Sequence, residues 1–200
     1  MHVLIVGMTG SGKTTMAKRL CRAYRAKGIK SIVLDPLHDP GWPADAVTSD
    51  PERFLEWARL SQQCALFIDE SGEMIGHYEK QMFWLATRSR HYGHKAHFIT
   101  QRANQLSPTV RDQCSNLIAF AMSHQDCQTL AREFNKDEIL QCKNKPKLIG
   151  LHCDRFELCN QVDLTKEFQH APIIEDRSNR VDSDRDGVTD QTGNDGDENQ

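Results

Sequence analysis

Residues Gly7-Met8-Thr9-Gly10-Ser11-Gly12-Lys13-Thr14 complete the pattern G-x-x-x-x-G-K-[ST], and their setting decides the fold. His2-Val3-Leu4-Ile5-Val6 before them is a short apolar run of strand type, and Thr15 through Tyr24 after them has helical spacing. A strand that turns tightly into a helix N-terminus aims backbone N–H groups and the positive end of the helix dipole at one point, which suits a phosphate. Gly7, Gly10 and Gly12 let the backbone curl, Lys13 reaches toward β- and γ-phosphates, and the Thr14 hydroxyl suits Mg²⁺. Met8, Thr9, Ser11 and Thr15 complete the expected binding segment. The stretch predicts binding of a nucleoside triphosphate with Mg²⁺.

Cys64-Ala65-Leu66-Phe67-Ile68-Asp69-Glu70 is an apolar strand ending in two acids. Such an acid lies at the carboxyl edge of a parallel sheet, where ligands of open α/β folds sit. Asp69 is the expected Walker B partner of the metal. Glu70 follows on the other side of the strand end, where a general base polarises water. An acidic pair here favours hydrolysis over phosphate transfer to a second substrate. Asp69-Glu70-Ser71-Gly72 also fits the D-x-x-G of switch GTPases, and Asn144-Lys145-Pro146-Lys147 echoes their guanine reader. The echo fails chemically, because position 147 is a lysine where guanine selection needs a carboxylate.

The 200 residues carry a formal charge of −3 that conceals an asymmetry. Residues 175–200 hold nine acids and three arginines, leaving 22 of the 25 basic and 19 of the 28 acidic residues in 1–174. That division predicts an ATPase domain over 1–174 and an acidic, disordered tail over 175–200. Asp182, Asp184, Asp186 and Asp190 within the tail match the start of a calcium loop, but Gly193 stands where its bidentate Glu belongs. No apolar stretch is long enough to span a bilayer, which predicts a soluble, cytosolic chain without a direct membrane span. Seven cysteines, several in apolar runs, read as reduced buried thiols, with no C-x₂₋₄-C pair for zinc. His91, His94 and His97 read as surface and strand-edge residues.

Strand-like runs recur at 31–35, 95–100 and 116–121, with a closing hairpin over 147–152 and 155–160. Helical spacing covers 51–60, 78–92 and 124–134, with a short helix from Pro108. The first of these carries Phe54, Leu55, Trp57 and Leu60, and the second is expected to turn Met82, Phe83, Leu85 and Ala86 toward the core. Such alternation predicts an α/β P-loop NTPase fold of the ASCE, RecA-like kind, a parallel sheet with helices on both faces and a short C-terminal hairpin.

Thr87-Arg88-Ser89-Arg90-His91-Tyr92-Gly93, leading to Phe98-Ile99-Thr100-Gln101-Arg102, resembles the FtsK/HerA superfamily of DNA-pumping ATPases, where an R-x-x-G helix end precedes a strand finishing in T-Q. Asp35-Pro36 and Val110 through Asn116 extend the resemblance over about residues 1–135. It implies that Gln101, on a strand beside the phosphate-loop strand, senses the γ-phosphate. It implies too that Arg88 and Arg90 reach a neighbouring subunit's nucleotide. The small size looks most like the genome-packaging ATPases of tailless icosahedral viruses with an internal membrane. The partners this implies are double-stranded DNA, a homo-oligomeric ring (a hexamer in most members) and capsid vertex or portal proteins, with work in the host cytoplasm and at a virion vertex. Lys143, Lys145 and Lys147 are the densest basic cluster for pore contacts. The rival readings are a Zot-like DNA transfer or export ATPase, a P-loop small-molecule kinase, and a nucleotide-controlled binding module.

Overall fold

The computed structural model describes residues 2–69 and 83–166. Its strands are β1 (His2–Val6), β2 (Ser31–Leu34), β3 (Ala46–Thr48), β4 (Ala65–Ile68), β5 (Lys95–Thr100), β6 (Cys114–Ala119), β7 (Ile149–Asp154) and β8 (Asn160–Asp163). Among the described residues they form one sheet in the order β3-β2-β4-β5-β1-β6-β7-β8. The pairs from β3 to β6 are parallel, while β7 and β8 add an antiparallel hairpin. The fold is the expected α/β P-loop architecture.

Strand alternation builds two cores. Val3 and Ile5 of β1 face one layer with Phe67, Ile99, Ile118 and Phe120, covered by Met16, Leu20 and Tyr24 of helix α1 (Lys13–Ala26). Leu4 and Val6 face the other, with Leu66, Phe98 and Leu117, covered by helices α2 (Pro51–Leu60) and α4 (His124–Phe134). Fully buried Phe54 and Phe134 anchor these two helices, and truncating either to Ala costs about 3–5 kcal/mol. Polar caps start the helices on that side. Asp50 accepts the Glu52 N–H at 2.9 Å, and Ser123 accepts the Asp126 N–H at 3.1 Å. Ser107 with Pro108 opens the short helix α3 (Pro108–Asp112).

Several expectations need correction. The Pro- and Gly-rich stretch before Asp50 hides β3, an edge strand of three residues too short to show alternation. The region expected as one helix over 78–92 is helical at 83–87 and passes into a 3-10 turn at Ser89–Tyr92, where the Ser89 hydroxyl donates to the Leu85 carbonyl. Leu85 and Ala86 are buried, but Phe83 is exposed, as is Leu60 at the end of α2, and Met82 lies outside the described residues. His94 and His97 are fully buried. The His94 Nδ1 takes the Cys64 N–H at 3.1 Å, and the His97 ring stacks on Phe67 and meets the Tyr24 hydroxyl at 3.1 Å. Burial lowers the pKa of His97 to about 3 and, with the nearby amino terminus, that of His2 to about 4.

The hairpin departs from the expected register. Arg155 turns inward to donate to the carbonyls of Cys114, Glu133 and Arg111, so β8 begins only at Asn160. That turn brings Cys153 and Cys159 into a disulfide with Cα atoms 4.2 Å apart, where reduced thiols were expected. The other five cysteines are free and buried. The boundary at 174 and the acidic tail lie outside the described residues.

Candidate functional site

The phosphate loop leaves β1 between the ends of its two neighbours. Gly7 N–H donates to the Thr100 carbonyl of β5 at 3.4 Å, and Met8 N–H to the Ala121 carbonyl beyond β6 at 2.8 Å. A Cβ on Gly7 would stand 2.7 Å from Ser11 Oγ and 2.8 Å from Phe120 Cβ, so only glycine fits. The curl closes as Ser11 N–H donates to the Met8 carbonyl at 3.1 Å. Gly12 then starts α1 with no capping side chain and no acid in the first turn, which keeps the positive helix end open to an anion.

Lys13 is buried, and its ammonium lies 3.3 Å from the Met8 carbonyl, spanning the loop it is expected to serve. Thr14 Oγ1 donates to Asp69 Oδ2 at 3.1 Å. Asp69 itself is buried at the end of β4, its N–H donating to the Leu34 carbonyl. A threonine hydroxyl beside a buried carboxylate is the hard oxygen set that suits Mg²⁺. Thr9 Oγ1 donates to Gln101 Oε1 at 3.2 Å, so the amide that ends β5 touches the loop directly. Met8, Thr9, Gly10 and Thr15 are exposed around the opening. The Ser11 hydroxyl is buried with no hydrogen-bond partner among the described residues, a donor free for a ligand oxygen.

Glu70 lies outside the described residues. Arg88 and Arg90 are exposed and precede the first residues of β5, whereas the phosphate loop follows the last residues of β1. In a parallel pair those are opposite edges of the sheet, so neither arginine meets Lys13 of its own chain. Lys143 and Lys147 are exposed on the loop-side edge, and Lys145 contacts Gln161 at 3.4 Å.

Sequence reading missed the support beneath the loop. Leu148 N–H donates to the Ser11 carbonyl at 2.9 Å. A Cβ on Gly12 would lie 3.1 Å from Leu164, 3.2 Å from Leu148 and 3.3 Å from Phe120. Arg19 of α1 donates to the Leu164 carbonyl at 2.7 Å. Both ends of the hairpin are thus wedged against the phosphate loop. Leu148 and Leu164 carry no motif, and only Leu164 stands out as an apolar residue between polar neighbours.

The strand bearing Gln101 lies between the strands bearing the phosphate loop and Asp69. That arrangement defines a P-loop ATPase in which an extra strand separates the two nucleotide-binding strands. Residues 1–118 match the model described as the central domain of the helicase HerA, and the chain belongs to that family. No curated protein matches it in sequence. Its fold is similar to that of the genome packaging NTPase B204 from Sulfolobus turreted icosahedral virus 2 in complex with sulfate, at 18% identity over 84% of this chain and 97% of that one, TM-score 0.68. The complex of the same NTPase with AMPPCP gives 19% identity over 80% and 95%, TM-score 0.65. The conjugation coupling protein TcpA of pCW3 with ATPgS gives 14% identity over 81% of this chain and 59% of that one, TM-score 0.65. Among the described residues no helix is long and apolar enough to cross a membrane.

Proposed function

We propose that this chain is an Mg²⁺-dependent ATPase that drives double-stranded DNA into a preformed viral capsid. The observation that carries the chemistry is the meeting of three strand ends, with Thr14 on Asp69 at 3.1 Å and Thr9 on Gln101 at 3.2 Å. Lys13 and the uncapped N–H groups of Gly12 through Thr15 would bind and orient the triphosphate, and Thr14 with Asp69 would hold Mg²⁺. The metal, when bound, neutralises charge on the phosphate oxygens. Gln101 aligns the terminal phosphate against the loop, and Glu70, next in the chain after Asp69, takes the proton from water.

Arg88 and Arg90 are too remote to serve their own nucleotide, so their role as charge-neutralising fingers requires a neighbour in a homo-oligomeric ring, taken as a hexamer. In this reading residues 1–174 form the motor domain and 175–200 an acidic appendage. The ring works in the host cytoplasm and docks on a capsid vertex or portal. The likeness to a conjugation coupling protein supports DNA transfer as a second reading.

The test is ATP hydrolysis measured with and without double-stranded DNA, alongside solution mass. DNA stimulation of an assembled ring is the expected result. A rate indifferent to DNA would refute the motor and leave a kinase or a nucleotide-controlled binding module. Co-sedimentation with empty capsids separates packaging from transfer.

A further inference from the structure

The edge of the sheet remote from the phosphate loop gathers positive charge from three separate segments. Ser31, Ala65 and Lys95, the paired residues that open β2, β4 and β5, lie side by side there. The turns leading into them wall a cavity of about 550 Å³ lined by Lys30, Lys95, Gln62 and Gln63, with Gly28 and Gly93 at its rim. Exposed Arg25 stands on the last turn of α1, Lys27 just beyond it, and Arg59 on the last turn of α2. The Arg59 guanidinium lies 5.2 Å from the Trp84 ring centre, and that ring lies 5.7 Å from Tyr92 beside the Gly93 turn. None of Arg25, Lys27, Lys30 and Arg59 pairs with a carboxylate among the described residues. The acids set against them are Asp45, whose carboxylate takes the Ser31 N–H at 2.8 Å, and Glu56 on the exposed side of α2.

Helix dipoles account for part of this charge. The carbonyl ends of α1 and α2 point to the same edge, and each carries about half a negative charge, which one or two cations balance. For the rest, no carboxylate among the described residues forms an ion pair with Arg25, Lys27, Lys30 or Arg59. A single bound phosphate would call for convergent buried donors, whereas these side chains are long, exposed and spread over a broad face. A spread of solvated cations with interleaved amides matches a repeating polyanion.

We propose that this face grips the phosphate backbone of double-stranded DNA, an inference that rests on the reading of the chain as a DNA motor. It lies across the sheet from the nucleotide loop, so both ligands bind one subunit together.

The experiment compares full-length parent protein with Arg25→Gln/Lys27→Gln/Lys30→Gln, all exposed positions, and with Arg59→Gln/Lys95→Gln at the end of α2 and the start of β5. Binding of a short fluorescent duplex is followed by anisotropy across a salt series, beside binding of a fluorescent ATP analogue and a melting curve. The triple variant should lose about tenfold or more in duplex affinity at low salt, and its salt slope should shrink by about 0.9 for each phosphate contact removed. Analogue binding should stay at the parent value, and Lys27→Arg/Lys30→Arg should keep duplex affinity. The Arg59/Lys95 pair should weaken the duplex further when combined, and its melting curve guards against misfolding at half-buried Lys95. A parent that binds DNA, with both variants equal to it in affinity and slope, overturns the face but leaves the motor reading intact. A parent that ignores duplex DNA at low salt overturns both. Variants that bind duplex normally but lose hydrolysis only when assembled would give the face to a neighbour's triphosphate, against the proposal.

Discussion

Gly12→Ala tests whether the hairpin braces the phosphate loop, and Gly10→Ala is its internal control. Both glycines have left-handed backbone angles, φ +125° at Gly12 and +74° at Gly10, so each substitution carries strain of about 1–2 kcal/mol. Their surroundings differ. A Cβ on Gly10 meets nothing within 4 Å, whereas one on Gly12 meets Leu164, Leu148 and Phe120 at 3.1–3.3 Å. Crowding of that kind adds roughly 1–3 kcal/mol in a packed core. Gly12→Ala should therefore cost about 2–5 kcal/mol and Gly10→Ala about 1–2. With roughly 2–4 °C per kcal/mol for a domain of this size, the melting point should fall by about 4–20 °C against about 2–8 °C. Thermal melts read this directly, and fluorescent nucleotide titration reads whether the loop still binds. Adding Leu148→Ala to Gly12→Ala should return part of the lost nucleotide affinity by opening the crowded side. Equal melting shifts for the two glycines, with no effect of Leu148→Ala, would refute the brace.

Lys13→Ala should abolish turnover with the fold retained; hydrolysis at the parent rate would remove the loop from the site. Glu70→Gln should bind ATP and lower hydrolysis by roughly 10²-fold or more, whereas Asp69→Asn should weaken Mg²⁺-dependent binding; equal, mild effects would make Glu70 a plain strand terminus. Rings mixed from Lys13→Ala subunits and subunits lacking Arg88 and Arg90 should regain some activity, and none regained in rings shown to be mixed would place the arginines outside trans catalysis. Deleting residues 175–200 should leave basal ATPase unchanged and tighten DNA binding, most at low salt, because nine carboxylates compete with phosphates for the same cations. Identical affinities across a salt series would end the masking idea, and a difference that needs Ca²⁺ would assign the tail's aspartates to a metal. His2 and His97 titrate lower in the fold than in the unfolded chain, so the unfolded state binds more protons below about pH 6.5. Stability should fall by up to roughly 1.4 kcal/mol per unit for each histidine as pH drops toward about 4, and a flat melting point from neutral to pH 5 would contradict their burial.

What could be read in advance was local in sequence. The phosphate loop and the strand ending at Asp69 each lie within about ten residues, and the pattern ending in Thr100-Gln101 placed β5 beside β1. The rest depends on pairings that spacing does not encode. Three residues of β3 are too few to alternate. Arg155 resets the hairpin by bonding to carbonyls on β6, α3 and α4 rather than to its sequence neighbours. His94 and His97 look polar in sequence, but backbone and tyrosine partners inside the sheet let them be buried. The brace of Leu148 and Leu164 involves residues far along the chain from Gly12, beyond any local motif.

That distance also sets an order of assembly. The phosphate loop precedes the hairpin in the chain and is synthesised before it. Its supports, and the Leu164 carbonyl that Arg19 holds from 145 residues away, are among the last described residues to leave the ribosome. Contacts separated by so much chain form late, after the closure entropy of the intervening loop has been overcome. A nascent chain thus carries the complete nucleotide motif before the motif's backbone has its brace. A chain ended between β6 and β8 keeps the motif but lacks the Leu148 and Leu164 contacts, and should bind nucleotide more weakly than one that includes the hairpin.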